Sequence, residues 1–324
     1  AKPKNMEIFN PTDPDGNVLD EELIKSAFER VKKSLSKVKK ILQSYFNLRN
    51  DKQIGTDWPI VIASSYIRSH YPENNADMGN NKGELAKWMA LAILRKHYTG
   101  GSTNTKVEDD LKAVKKSKNP WDKLYENMSN SDRVQLNKVL CRKLTANDLG
   151  NIDSSKTPPS MTGKYGWLGG LYKAVLFRYN ARDPHTLELI RDEEETQWHH
   201  IFPKAMFDSK SKHYAGKDFE KKNLKLRDNP ANYSLISKGT NLRIRAAWPE
   251  KYIVPIIKAH PEIADKHQWN SPSLTKKDNF RAFMKFRQEE MRKFINNFFD
   301  DICGNVEPPV PEIIINHVQR IRAL

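Results

Sequence analysis

The chain has 324 residues, 38% of them hydrophobic and 29% charged with both signs present, a balance that supplies a sizeable core and excludes a wholly disordered protein. Its 55 lysines and arginines against 40 aspartates and glutamates leave a net charge of +15, which favours partners carrying phosphate without identifying one. The distant pair Cys141 and Cys303 excludes a zinc ribbon or disulfide framework, and neither a signal peptide over Ala1 to Asn10 nor an apolar run of about 18 residues is present, so the expectation is a soluble cytoplasmic protein without membrane association.

Over residues 20–48, Leu23, Ala27, Phe28, Val31, Leu35, Val38, Leu42, Tyr45 and Phe46 recur at three and four, which predicts an amphipathic helix whose lysines read as a solvated face. Further helices are expected at 82–97, with Leu85, Trp88, Met89, Ala92 and Ile93 on one face, and at 131–144. The turn-rich stretch 98–106 separates them, and a helix resumes over 107–114. Residues 150–166 concentrate Gly, Pro, Ser and Thr and read as a linker. A short helix follows over 167–179, and 183–192 lead toward a histidine pair. Thr275 with Asp278 resembles a capping signal before a long helix whose Phe280, Phe283, Met284, Met291, Phe294, Ile295, Phe298 and Ile302 make one wide apolar stripe.

The residues that carry chemistry lie between 198 and 242. They open with Trp198-His-His-Ile-Phe-Pro-Lys204 and close with Asn229-Pro-Ala-Asn-Tyr-Ser-Leu-Ile-Ser-Lys-Gly-Thr-Asn241. Adjacent histidines alone are weak; here an Ile-x-Pro turn follows them and two asparagines, Asn232 and Asn241, answer downstream. A strand is expected over 233–236, with Ser237 opening a helix.

That combination resembles the HNH, or ββα-metal, nuclease motif. The resemblance implies a mainly α protein: a helical domain (1–150), a linker (151–166) and a helical domain (167–324) carrying a ββα-metal core. It further implies hydrolysis of phosphodiester bonds in DNA with a divalent ion, magnesium first and manganese or others as alternatives. His199 takes a metal-ligand position and Asn241 the second. His200 takes the general-base position, where an imidazole titrating near neutrality suits proton abstraction. Asn232 takes the middle position, orienting the catalytic histidine. Lys238 and Arg243 are candidate nucleic-acid contacts, with a solvated surface charge as the alternative for each. Gln197 stands where some relatives carry an acidic ligand, and the run Glu193 to Glu195 reads as solvated. The long gap from His200 to Asn232 implies an inserted loop around 210–227.

His199 to Lys204, Asn229 to Asn232, Thr240, Asn241, Ile244 and Pro249 to Tyr252 are similar to the C-terminal nuclease region of GmrSD-like type IV, modification-dependent restriction proteins. Arg95 to Tyr98 and Asp109 to Leu111 are similar to the region before that nuclease. The resemblance implies a restriction or antiphage effector, and a nucleotide-hydrolysing sensor domain that precedes this region in a longer protein. Two strands cut by one such site require either a homo-oligomer or two nicks. The alternatives are an HNH-fold DNA-binding module that is catalytically weak or inactive, and an RNA-cleaving toxin.

Overall fold

The computed structural model describes residues 21–46, 57–72, 77–99, 102–129, 142–150, 152–153, 161, 167–190 and 196–304. Residues 131–141 of the helix expected over 131–144, most of the linker, and Glu193 to Glu195 lie outside them. Among the described residues the protein is mainly α-helical, with a single two-stranded sheet. No helix among them is long and apolar enough to cross a membrane.

The first helix, α1 (Glu21–Phe46), begins with Glu21 and Glu22, whose charges suit the positive end of the helix dipole. Its apolar stripe is buried only along the second half. Val38, Ile41, Leu42 and Phe46 are in the core, whereas Leu23 and Phe28 of the same stripe are 56% and 67% exposed. Helices α2 (Trp58–His70), α3 (Asn80–Leu94), α4 (Thr103–Lys116), α5 (Trp121–Ser129) and α6 (Trp167–Arg178) follow. The helix expected to reach 97 stops at Leu94, because the chain turns through Arg95 to Tyr98 with Lys96 at φ 53°. The helix expected from 107 starts at Thr103, a turn earlier.

The strands β1 (Thr196–His200) and β2 (Tyr233–Ser237) pair antiparallel, with Thr196 opposite Ser237 and His200 opposite Tyr233. Between them run a short helix, α7 (Lys217–Asn223), and three single 3-10 turns, so the inserted segment has structure of its own. After β2 come α8 (Lys238–Ile244), α9 (Pro249–Ala259), α10 (Pro261–Lys266) and α11 (Phe280–Cys303). The first turns of α9 and α10 carry proline, where a missing N–H costs nothing. Thr275 does not cap α11. Its hydroxyl donates to the Pro272 carbonyl at 2.7 Å, and a 3-10 turn over Lys277–Asn279 intervenes before the helix starts at Phe280.

Two apolar clusters form the core, and α11, about 36 Å long at 1.5 Å per residue, contributes to both. Its Met291, Ile295, Phe298, Phe299 and Ile302 pack with α1 to α6 around Trp88 and Tyr66. Its Phe280, Phe283 and Met284 pack with Ile201, Phe202, Met206, Ile236 and Trp269 beside the sheet. Between the two sets lies Arg287, fully buried, whose guanidinium donates to the carbonyls of His267 (3.2 Å) and Ala231 (2.8 Å). A buried cation is tolerated there because main-chain oxygens replace its water. Arg287 thereby ties α11 to the turn that leads into β2. At the other end α3 and α11 touch main chain to main chain, since a methyl on Gly83 would overlap the Ile302 carbonyl.

Candidate active site

The site is assembled by the sheet and the helix that follows it. Successive strand residues face opposite sides, so β1 sends His199 one way and Trp198 and His200 the other. Ser237 ends β2 and caps α8, its hydroxyl accepting from the Thr240 N–H at 3.0 Å. Asp183, buried, reinforces that junction by accepting from the Ser237 N–H at 2.7 Å and the Thr240 hydroxyl at 2.5 Å. Burial works to raise the Asp183 pKa, but these bonds, with those from the Thr186 and His185 N–H groups, outweigh it and hold the carboxyl below its usual range. The strand-to-helix turn is therefore rigid, and α8 is aimed at β1.

On one face, His200 Nε2 lies 3.0 Å from Asp228 Oδ1. Asp228 Oδ1 also accepts from the Tyr233 hydroxyl at 3.2 Å, and Oδ2 accepts from Arg227 Nε and Nη2 at 2.9 and 2.6 Å. Partial burial favours the protonated acid, yet the bonds from Arg227 and His200 hold the Asp228 pKa down at about 2. An ionised carboxylate accepts only, so the His200 proton sits on Nε2 and Nδ1 carries a bare lone pair. Burial lowers the His200 pKa, and although Asp228 pulls it up, the charges of Lys204 and Arg227 act with burial, so the ring is neutral at pH 7. The Tyr233 ring, 4.2 Å away between centroids, packs against it. The result is an oriented, unprotonated imidazole.

On the other face, His199 Nδ1 lies 2.8 Å from Asn241 Oδ1, and Nε2 lies 3.3 Å from the Tyr252 hydroxyl. Tyr252 gives its one proton to the Ile201 carbonyl at 2.9 Å. Asn241 spends its amide donor on Gln197 Oε1 at 2.8 Å. Asn241 Oδ1 can only accept, so at 2.8 Å it takes the His199 Nδ1–H and the two groups form a hydrogen-bonded pair. Burial pushes the His199 pKa down to about 4, against the upward pull of the bond to Asn241, so the ring is neutral at pH 7. Among the described residues no cluster of three or more His, Cys, Asp or Glu side chains could hold a metal ion, and this two-donor pair is poor in carboxylates.

Asn232 is fully buried, and its side chain makes three bonds: Oδ1 accepts from the Phe202 N–H (2.8 Å), and Nδ2 donates to the carbonyls of Phe202 (3.0 Å) and Arg227 (2.8 Å). It staples the chain after β1 to the turn before β2, which holds His200 against Asp228. Asp228 itself had no mark in the sequence. It lies in the long gap between the motif halves, and its adjacency to Arg227 in an Arg-Asp-Asn-Pro turn is the one local hint.

β1 is an edge strand, and one cleft of about 490 Å³ wraps it, lined by His199 and Asn241 from one face, by His200, Trp198 and Tyr233 from the other, and by Pro203, Lys204, Arg245 and Ala246. Lys238 and Arg243 are exposed on α8 and do not line it. Arg243 instead faces His185, whose pKa is lowered first by burial and then by that guanidinium. The cations on the cleft are Lys204 and Arg245. No protein-family model matches the chain and no curated protein matches it, so its function is read from this cleft and from the motif that builds it.

Proposed function

We propose that this protein is a divalent-metal-dependent endonuclease that hydrolyses phosphodiester bonds in DNA, with the strand pair and α8 acting as an HNH-type core. One observation carries the reading: a neutral imidazole held by Asp228 opens into the same cleft as the facing donors His199 Nδ1 and Asn241 Oδ1. A cation at that place would take over from the proton that links the two atoms, the ring proton moving to Nε2, and would find an imidazole nitrogen and an amide oxygen as donors. His199 and Asn241 would hold it, with water completing the shell. Magnesium is the first choice and manganese the second. Such an ion supplies neutralisation of the charge that develops on a phosphate under attack.

His200 Nδ1 takes the proton from the attacking water, and Asp228 stabilises the imidazolium that forms. Tyr233 and Trp198 wall the cleft and limit the water around that proton transfer. Asn232 keeps the histidine in register. The assignment to a restriction or antiphage system rests on the resemblance of the motif segments alone.

A second reading, a DNA-binding module without cleavage, draws on the absence of any carboxylate from the facing pair. Plasmid nicking with magnesium or manganese, compared between the unsubstituted protein and His200→Ala, decides between them. Cleavage lost in His200→Ala supports the nuclease. Equal cleavage by both proteins overturns the mechanism, and DNA binding without cutting in any divalent ion favours the second reading.

A further inference from the structure

Arg245 is the residue that the cleavage chemistry above does not use and that local energetics do not explain. It ends α8 with φ 50° and ψ −120°, a conformation that suits glycine and costs a side-chain-bearing residue about 1–3 kcal/mol. Helices ending with a positive φ commonly place glycine there. The main chain is held in place by the Arg245 N–H donating to the Asn241 carbonyl at 2.9 Å. The side chain recovers little: Nε donates to the Leu242 carbonyl at 3.2 Å, and neither Nη atom has a hydrogen-bond partner among the described residues. Yet the residue lines the cleft that holds His200 and Asn241, from the end of the same helix that carries Asn241. Lys204, exposed and likewise without an ion pair among the described residues, lines the cleft from the segment that follows β1, close enough for its charge to act on His200.

We propose that Arg245, together with Lys204, grips the phosphodiester backbone of duplex DNA at the cleft, and that the strained main chain at 245 is kept because it aims the guanidinium there. The proposal rests on the nuclease reading for its substrate. A guanidinium with free Nη atoms offers a fork that matches two phosphate oxygens, and a lysine beside it adds a point charge. Both contacts are blind to base sequence, so they set affinity and register while leaving sequence preference to other residues.

Arg245→Gly separates the two properties, since glycine removes the guanidinium and relieves the strain together. Binding is read by fluorescence anisotropy of a short labelled DNA duplex, with EDTA present so that nothing is cut, over a series of salt concentrations. Arg245→Gly is expected to bind about tenfold more weakly, with a log K against log salt slope shallower by about 1. Its thermal midpoint should equal or exceed that of the unsubstituted protein. Arg245→Lys should fall between the two, and Lys112→Ala on α4, a control for lost charge, should bind as the unsubstituted protein does. Unchanged affinity and slope in Arg245→Gly, or a fall in its thermal midpoint, overturns the proposal, as does a slope change seen with RNA and not with DNA. If Arg245-dependent binding is found in a protein that never cuts, the nuclease reading fails while this one stands.

Discussion

His200 Nε2 and Asp228 Oδ1 lie 3.0 Å apart although 28 residues separate them in the chain. The carboxylate is anchored on its other oxygen by Arg227 and is therefore a fixed acceptor and not a mobile surface acid. Asp228→Asn keeps the shape but lets an amide N–H face the ring, which favours the tautomer with the proton on Nδ1 and occupies the base. A loss of about 10²-fold or more in kcat is expected, with KM for plasmid DNA little changed. Steady-state nicking rates check this. A change confined to KM would show that Asp228 acts on substrate binding instead.

Asn232→Ala strands the buried Phe202 N–H and carbonyl and the partly buried Arg227 carbonyl. Unpaired buried groups of this kind cost about 1–3 kcal/mol each, so a total of roughly 3 kcal/mol or more is expected. Urea unfolding gives the difference directly. A midpoint unchanged from the unsubstituted protein would falsify the stapling role.

His267 is fully buried, its Nε2 at 2.9 Å from the Arg182 carbonyl and its Nδ1 at 2.9 Å from the Ser234 hydroxyl. Burial pushes its pKa down from the ordinary 6.5 to about 4, with the Arg182 carbonyl pulling the other way. Above pH 6.5 neither the folded nor the unfolded ring is charged, so no stability is lost there. As the pH falls from 6.5 toward 4, the unfolded ring takes up a proton that the folded ring refuses, and stability declines. The full gap corresponds to roughly 3 kcal/mol. Urea midpoints at pH 7 and pH 5 should differ markedly, and by clearly less in His267→Gln. An equal pH dependence in both proteins would assign the acid sensitivity to other groups.

Gly83→Ala drives a methyl into the Ile302 main chain where α3 crosses α11. No rotamer relieves a clash between two backbones, so the cost should reach or pass the top of the about 1–3 kcal/mol range for overpacking. It outweighs the roughly 1 kcal/mol that alanine gains over glycine in helix propensity. Thermal unfolding should show a clear fall in midpoint, and an unchanged or higher one would mean that the two helices do not touch there.

The sequence by itself determined the elements whose causes are local. The three-and-four spacing in α1, α3 and α11, the helix opening at Ser237 and the strand run Tyr233 to Ile236 are properties of neighbouring residues, so the structure keeps them within a few positions. The resemblance paired His199 with Asn241, and the fold brings those side chains together. Tertiary structure alone decided what depends on closure of the chain. Nothing around Leu23 and Phe28 distinguishes them from Val38 and Leu42; only the placement of the other helices leaves the first pair in water. Arg287 reads as one more surface charge on an amphipathic helix until the carbonyls of Ala231 and His267 are brought to it. Arg243 was the nearer cation to Asn241 in sequence, but it does not line the cleft, whereas Arg245, just past the end of α8, lines it together with Asn241. Asp228 reaches His200 because Asn232 folds the intervening segment back, and a hydrogen bond across 28 residues leaves no periodicity in the sequence to be read.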